Sequence, residues 1–161
     1  MPNPDYPGCF VYIRVKVVKN GSKDQIAIDA ATVAYATDAT TPYVWYYPGQ
    51  GDIQLPANNN RPFAFVLAYD VDGNNNNTYT WDTNIYQNVK IWPVGSPEPA
   101  WGTAFPSDFQ FPKVVPYSTV SFIDTNGSKG ASYNYCIRLT RVGAAGSYSD
   151  PLDPRITNST N

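Results

Sequence analysis

Residues 119–139, TVSFIDTNGSKGASYNYCIRL, alternate apolar and polar positions on either side of a glycine-containing centre. In the first arm Val120 and Phe122 alternate with Ser121 and Ile123. In the second, Tyr133, Tyr135, Ile137 and Leu139 alternate with Asn134, Cys136, Arg138 and Thr140. Successive side chains of an extended chain point to opposite faces, so a period of two describes half-buried strands. The centre, from Asp124 to Gly130, holds two glycines and an Asn-Gly step, residues that reach positive φ at little steric cost. The two arms are expected to pair as a β-hairpin, and none of their side chains is arranged for chemistry.

Outward from this stretch the same period recurs. Residues 10–19, FVYIRVKVVK, put Val11, Ile13, Val15 and Val17 on one face and end at an Asn20-Gly-Ser turn. Residues 63–71, FAFVLAYDV, are apolar on both faces, which predicts a central, covered strand. The segment QIAIDAATVAYA, 25–36, is read as a strand although its alanines would also suit a short helix. Residues 41–48, TPYVWYYP, pack Tyr43, Trp45, Tyr46 and Tyr47 between two prolines and read as a short edge strand turning back toward Ile53 and Leu55. Tyr79–Trp81 and Val89–Trp92 read as further short strands. Six prolines between Pro93 and Pro116 predict a long extended loop anchored by Trp101, Phe105, Phe109 and Phe111.

At 161 residues the chain is expected to form one domain, 1–161, with a proline-rich arm at 1–9 and a polar tail at 157–161. A chain of this size buries about two thirds of its unfolded surface, so no metal or disulfide staple is required. Thirteen tyrosines, fifteen prolines, eleven glycines and only 15% charged residues favour turns and strands over helical blocks. A net charge of −2 provides no field that would gather nucleic acid or an anionic membrane. No basic segment and apolar run follow Met1, so a soluble, cytoplasmic chain is the expectation, and no stretch approaches the roughly 18 apolar residues of a membrane helix. Cys9 and Cys136 are too few for a disulfide framework. A bridge between them and two separate thiols both stay open, with Cys136 on the Asn134 and Arg138 face of its strand.

The chain contains no histidine, which removes the commonest general base, the Ser-His and Cys-His pairs and most zinc sites. Neither a metal nor an organic cofactor is expected. Asp70, Asp72, Asp124, Asp150, Asp153 and Glu98 could in principle serve glycoside hydrolysis as a carboxylate pair, but loop aspartates are more often turn formers. Asp70-Val-Asp72-Gly-Asn74 has the oxygen-rich character of a calcium loop without the spacing of an EF-hand. Trp45, Tyr46, Tyr47, Trp81, Trp92 and Trp101 are candidates for a ligand platform, since a flat apolar ring with a polar rim suits a sugar face. Their alternative role is in the core and in cross-strand pairs. Four Asn-x-Ser/Thr sequons, at Asn20, Asn76, Asn126 and Asn158, would matter only in a eukaryotic secretory setting.

Near the end, the run 149–156 reads SDPLDPRI. Each proline drives the residue before it out of the helical region, so Asp150-Pro151 and Asp153-Pro154 predict an extended segment at a sheet edge. With Leu152 and Ile156 as anchors and the Asp side chains accepting backbone hydrogen bonds, it is read as a structural latch. Together with Phe63-x-Phe65-x-Leu67, Val120-x-Phe122-x-Asp124-x-Asn126 and Tyr133-x-Tyr135-x-Ile137-x-Leu139, the segment 149–158 resembles the bacterial DP-EP family. The dipeptides fall differently here, since Asp153-Pro154 follows Asp150-Pro151 while Glu98-Pro99 sits in the long loop. The resemblance implies an immunoglobulin-like sandwich of unknown activity. The expectation is therefore an all-β, immunoglobulin-like two-sheet sandwich of about 7–9 strands. Its expected role is that of a non-enzymatic binding or structural module acting on a protein or glycan, either as a monomer or as a homo-oligomer. The rival is a histidine-free glycosidase.

Overall fold

The computed structural model describes residues 9–35, 45–47, 52–55, 63–69, 78–115, 119–125, 131–152 and 155–158, with side chains described within 12–28, 78–115, 119–125 and 131–152. The chain opens with a long hairpin of β1 (Cys9–Asn20) and β2 (Lys23–Tyr35). Gly21, the first of its two loop residues, takes φ +62°, the position where a two-residue turn matching the strand twist calls for glycine. Ile13, Val15 and Val17 of β1 are buried while Tyr12, Arg14 and Lys16 between them are half-buried, as the alternation requires. The alanine-containing segment that could have been helical is β2.

β3 (Trp45–Tyr47), β4 (Asp52–Leu55), β5 (Phe63–Tyr69) and β6 (Tyr79–Thr80) follow, and then the single helical turn α1 (Ile85–Asn88). The remainder is β7 (Val89–Pro93), β8 (Phe109–Val115), β9 (Thr119–Asp124), β10 (Ser132–Ile137), β11 (Thr140–Arg141) and β12 (Arg155–Asn158). One sheet has the order β2-β1-β5-β9-β8, a second β3-β4-β12-β10-β7, and β11-β6 form a small third. The twelve strands among the described residues exceed the expected number because β3, β6 and β11 are pieces of two or three residues. β5 lies in the middle of its sheet, parallel to β1 and antiparallel to β9, which accounts for its two apolar faces.

The two large sheets form an all-β sandwich. Ile13, Val15, Ile26, Phe109, Val120 and Phe122 of the first share a core with Val89, Ile91, Tyr133, Tyr135 and Ile137 of the second. Across the interface the Phe109 and Tyr133 rings meet edge to face, with centroids 4.9 Å apart.

Three expectations are corrected. The arms of 119–139 do not pair with each other, because β9 belongs to the first sheet and β10 to the second. The connection 125–131 can extend to about 23 Å, ample for crossing the ~10 Å between stacked sheets, so the apolar faces meet through the core. Nor is the end of the chain at an edge: β12 lies between β4 and β10, and it begins at Arg155, beyond both prolines, so every residue in it can donate to the ladder. The proline-rich stretch read as loop contains β8, an edge strand with Pro112 inside it.

Candidate functional site

Because β7 and β10 pair with Cys136 opposite Lys90 and Asn134 opposite Trp92, their alternate residues Lys90, Trp92 and Arg138 fall on the side of the sheet away from Tyr135 and Ile91. Trp101, from the loop after β7, covers them. Lys90 Nζ lies 4.5 Å from the Trp101 ring centre and 5.4 Å from that of Trp92. Arg138 Cζ lies 3.9 Å over Trp101 and 3.4 Å over Tyr148. The Arg138 Nε and Nη2 each donate at 2.8 Å to Gln87, to its backbone oxygen and to Oε1, and Lys90 pairs with Glu98. Burial lowers the Arg138 pKa from its ordinary value, but a guanidinium stays charged in a protein. Cations stacked on rings in this way contribute up to about 2 kcal/mol each when desolvated. Cys136 is buried on this same face, and the Cys9 side chain, with the possible bridge, lies outside the described residues.

The stack settles where several candidate aromatics sit. Trp92 and Trp101 come together, but two cations occupy the π-surface of Trp101, leaving little room for a sugar. Trp81 is a correction: it is 1% exposed and belongs to the core, because Tyr79 and Trp81 are alternate positions facing inward. Trp45, Tyr46 and Tyr47 form β3, four strand spacings or about 19 Å from β7 across the sheet, so they are no part of the same platform. Their side chains lie outside the described residues, as do Asp70, Asp72, Asp153, Pro154 and the calcium-like loop. Of the other carboxylates, Glu98 is held by Lys90, Asp150 pairs with Lys23 at 3.8 Å, and Asp124 is fully buried. Among the described residues no group of three or more acidic, cysteine or histidine residues could hold a metal, and no helix is long and apolar enough to cross a membrane.

At the Asp150 end the backbone carries the latch. Asp150 donates its N–H to Asp24 O at 2.7 Å and accepts from Ile26 N at 3.2 Å, joining β2 of the first sheet. Two residues later Leu152 exchanges both hydrogen bonds with Ile137 of the second sheet at 3.0 Å. The Ser149 hydroxyl accepts the Leu139 N–H at 2.9 Å. Among the described residues the Asp150 side chain accepts no backbone hydrogen bond, contrary to the expectation for it, and it faces Lys23 in solvent.

A shallow groove of about 470 Å³ opens beside the small sheet, lined by residues 80–83 and 140–145. Arg141 on its rim donates from Nη2 to Asp24 Oδ2 at 3.2 Å, and the Tyr79 hydroxyl donates to the same oxygen at 2.5 Å. Hydrogen bonds from Lys19 and Tyr79 hold the Asp24 carboxyl below its ordinary pKa of 3.8, while burial and the bond to Asp24 raise the Tyr79 hydroxyl above 10.0. Asp82, also in the lining, accepts the Asn84 N–H at Oδ1, at 2.8 Å. Asn88, fully buried, clamps Asp82 by accepting its N–H at 2.6 Å and donating to its carbonyl at 2.8 Å. The Thr140 hydroxyl, in a residue 7% exposed, has no hydrogen-bond partner, an unmet demand of about 1–3 kcal/mol.

The remaining feature had no signal in the sequence beyond one aromatic beside a proline. In the β8–β9 ladder Gln110 pairs with Ile123 and Lys113 with Ser121, so Phe111 and Pro112 together stand opposite Phe122. This is a β-bulge, and Phe111 takes φ +53° in it, where a left-handed bulge position ordinarily has glycine. Pro112 restricts Phe111 further. Phe111 is 71% exposed, and Val115 on the same strand is 43% exposed.

The fold and these surfaces define an all-β sandwich domain. No family model and no characterised protein matches the chain.

Proposed function

We propose that the chain is a non-enzymatic binding module that engages a protein partner through the β8 edge, with Phe111 as the anchor. One observation carries the reading: a large aromatic stands in solvent at a backbone conformation that costs an L-residue about 1–2 kcal/mol. Burial would offset such strain in a core residue, but this ring gains almost none, and glycine would satisfy the bulge without strain. Aromatic residues, Phe among them, are enriched in the cores of protein interfaces. Pro112 and the bulge interrupt the edge hydrogen-bonding pattern, so contact is through the inserted side chain and not through an added strand. The glycosidase alternative is supported less, since the groove carries one carboxylate, Asp82, where two facing carboxylates are needed.

Quantitative cross-linking in cells of origin, with wild type and Phe111→Gly compared, tests this. Cross-links from residues 109–115 to a defined partner should be lost in the variant. An unchanged set of cross-links would refute the proposal.

A further inference from the structure

We infer that the groove beside β6 and β11 is a second site, independent of the β8 edge, which takes a neutral sugar unit. Its volume of about 470 Å³ falls in the range of small-molecule sites, roughly 300–1,000 Å³. Val142, Ala144 and Ala145 give it an apolar side that a sugar ring can lie against. The polar groups around that side are of both kinds and are only partly used. Arg141 commits one nitrogen, Nη2, to Asp24 and Tyr79, and its Nε and Nη1 have no hydrogen-bond partner among the described residues. Asp82 commits Oδ1 to Asn84, and its Oδ2 is likewise uncommitted. The buried Thr140 hydroxyl adds an unpartnered group that can both donate and accept.

Charge narrows the class of ligand. Asp24 is shared between Lys19 and Arg141 and so offsets the guanidinium only in part, while an anion entering the groove would meet the Asp82 carboxylate, the one acid that lines it. A cation would in turn face the Arg141 guanidinium. A neutral molecule bearing several hydroxyls on a small apolar body satisfies donors and acceptors together, and a monosaccharide unit has that form. Trp81 borders the groove but is buried, so no ring stacks on the sugar and the affinity should be weak, on the order of millimolar.

The test is an amide NMR titration of the full chain with glucose, galactose, mannose, N-acetylglucosamine and fucose in turn, and with inorganic phosphate. At least one neutral sugar should give saturable shifts confined to residues 78–84 and 139–146, and phosphate should give none there. Ala145 is exposed on the groove, so Ala145→Phe should fill the site while leaving the fold intact, weakening that sugar by about tenfold or more. Asp82→Ala should weaken it comparably, and Phe111→Gly should leave it unchanged, which separates this site from the β8 edge. The inference is overturned if no sugar saturates, if phosphate shifts the groove instead, if the shifts centre on Trp92 and Trp101, or if Ala145→Phe binds as the wild type does.

Discussion

The Ser149 hydroxyl accepts the Leu139 N–H in a place closed to solvent, whereas the Asp150 carboxylate reaches Lys23 across 3.8 Å of open surface. Removing the first leaves a buried donor unsatisfied, at a cost of about 1–3 kcal/mol, and removing the second loses an exposed pair worth less than about 1 kcal/mol. Ser149→Ala should therefore lower stability by about 1–2 kcal/mol and Asp150→Ala by less than about 0.5, as read from urea midpoints. An equal loss in both would show that the Asp side chain, and not the backbone, forms the latch. Sequence could point to this segment through its prolines, but it could not tell which atoms hold it. Trp81 and Trp101 show the same limit, since a tryptophan in a strand-rich chain looks the same whether it fills the core, stacks on arginine or faces a ligand.

At the level of elements, the contact of Tyr79 with Asp24 joins β6 to the start of β2. The Asp24 carboxyl is held below 3.8, so its contribution is complete above that pH and is lost as pH falls through its folded value. The Tyr79 hydroxyl is raised above 10.0, so its contribution is complete below that pH and is lost as pH rises through its folded value. Tyr79→Phe should destabilise the protein by about 1–2 kcal/mol at neutral pH. The deficit should shrink below about pH 3.8 and above pH 10. A deficit constant across that whole range in denaturation curves would place the effect in packing alone. The strands themselves were largely legible, because alternation in β1, β5 and β10 records which side faces the core. Alternation says nothing about whether two strands meet edge to edge or face to face, and for that reason 119–139 reads as a hairpin but folds as a crossing between sheets. β8 is not legible in the sequence, because a bulge breaks its period at Phe111 and a proline sits inside it.

In the whole molecule, the segment 149–152 stitches the first sheet to the second, and Trp101 with Lys90 and Arg138 closes the outer side of β7 and β10. Both regions are occupied with holding the sandwich together. Phe111 differs: it strains the backbone and stands largely in solvent, which is the basis for the proposal that the domain is a binding module. Equilibrium urea denaturation of Phe111→Gly measures this most directly. Relief of about 1–2 kcal/mol of strain, less about 0.5–1 kcal/mol for the added chain entropy of glycine, predicts a variant more stable than wild type by up to about 1.5 kcal/mol. A variant less stable than wild type would show that Phe111 supports the fold, and would contradict its role as an anchor kept for a partner.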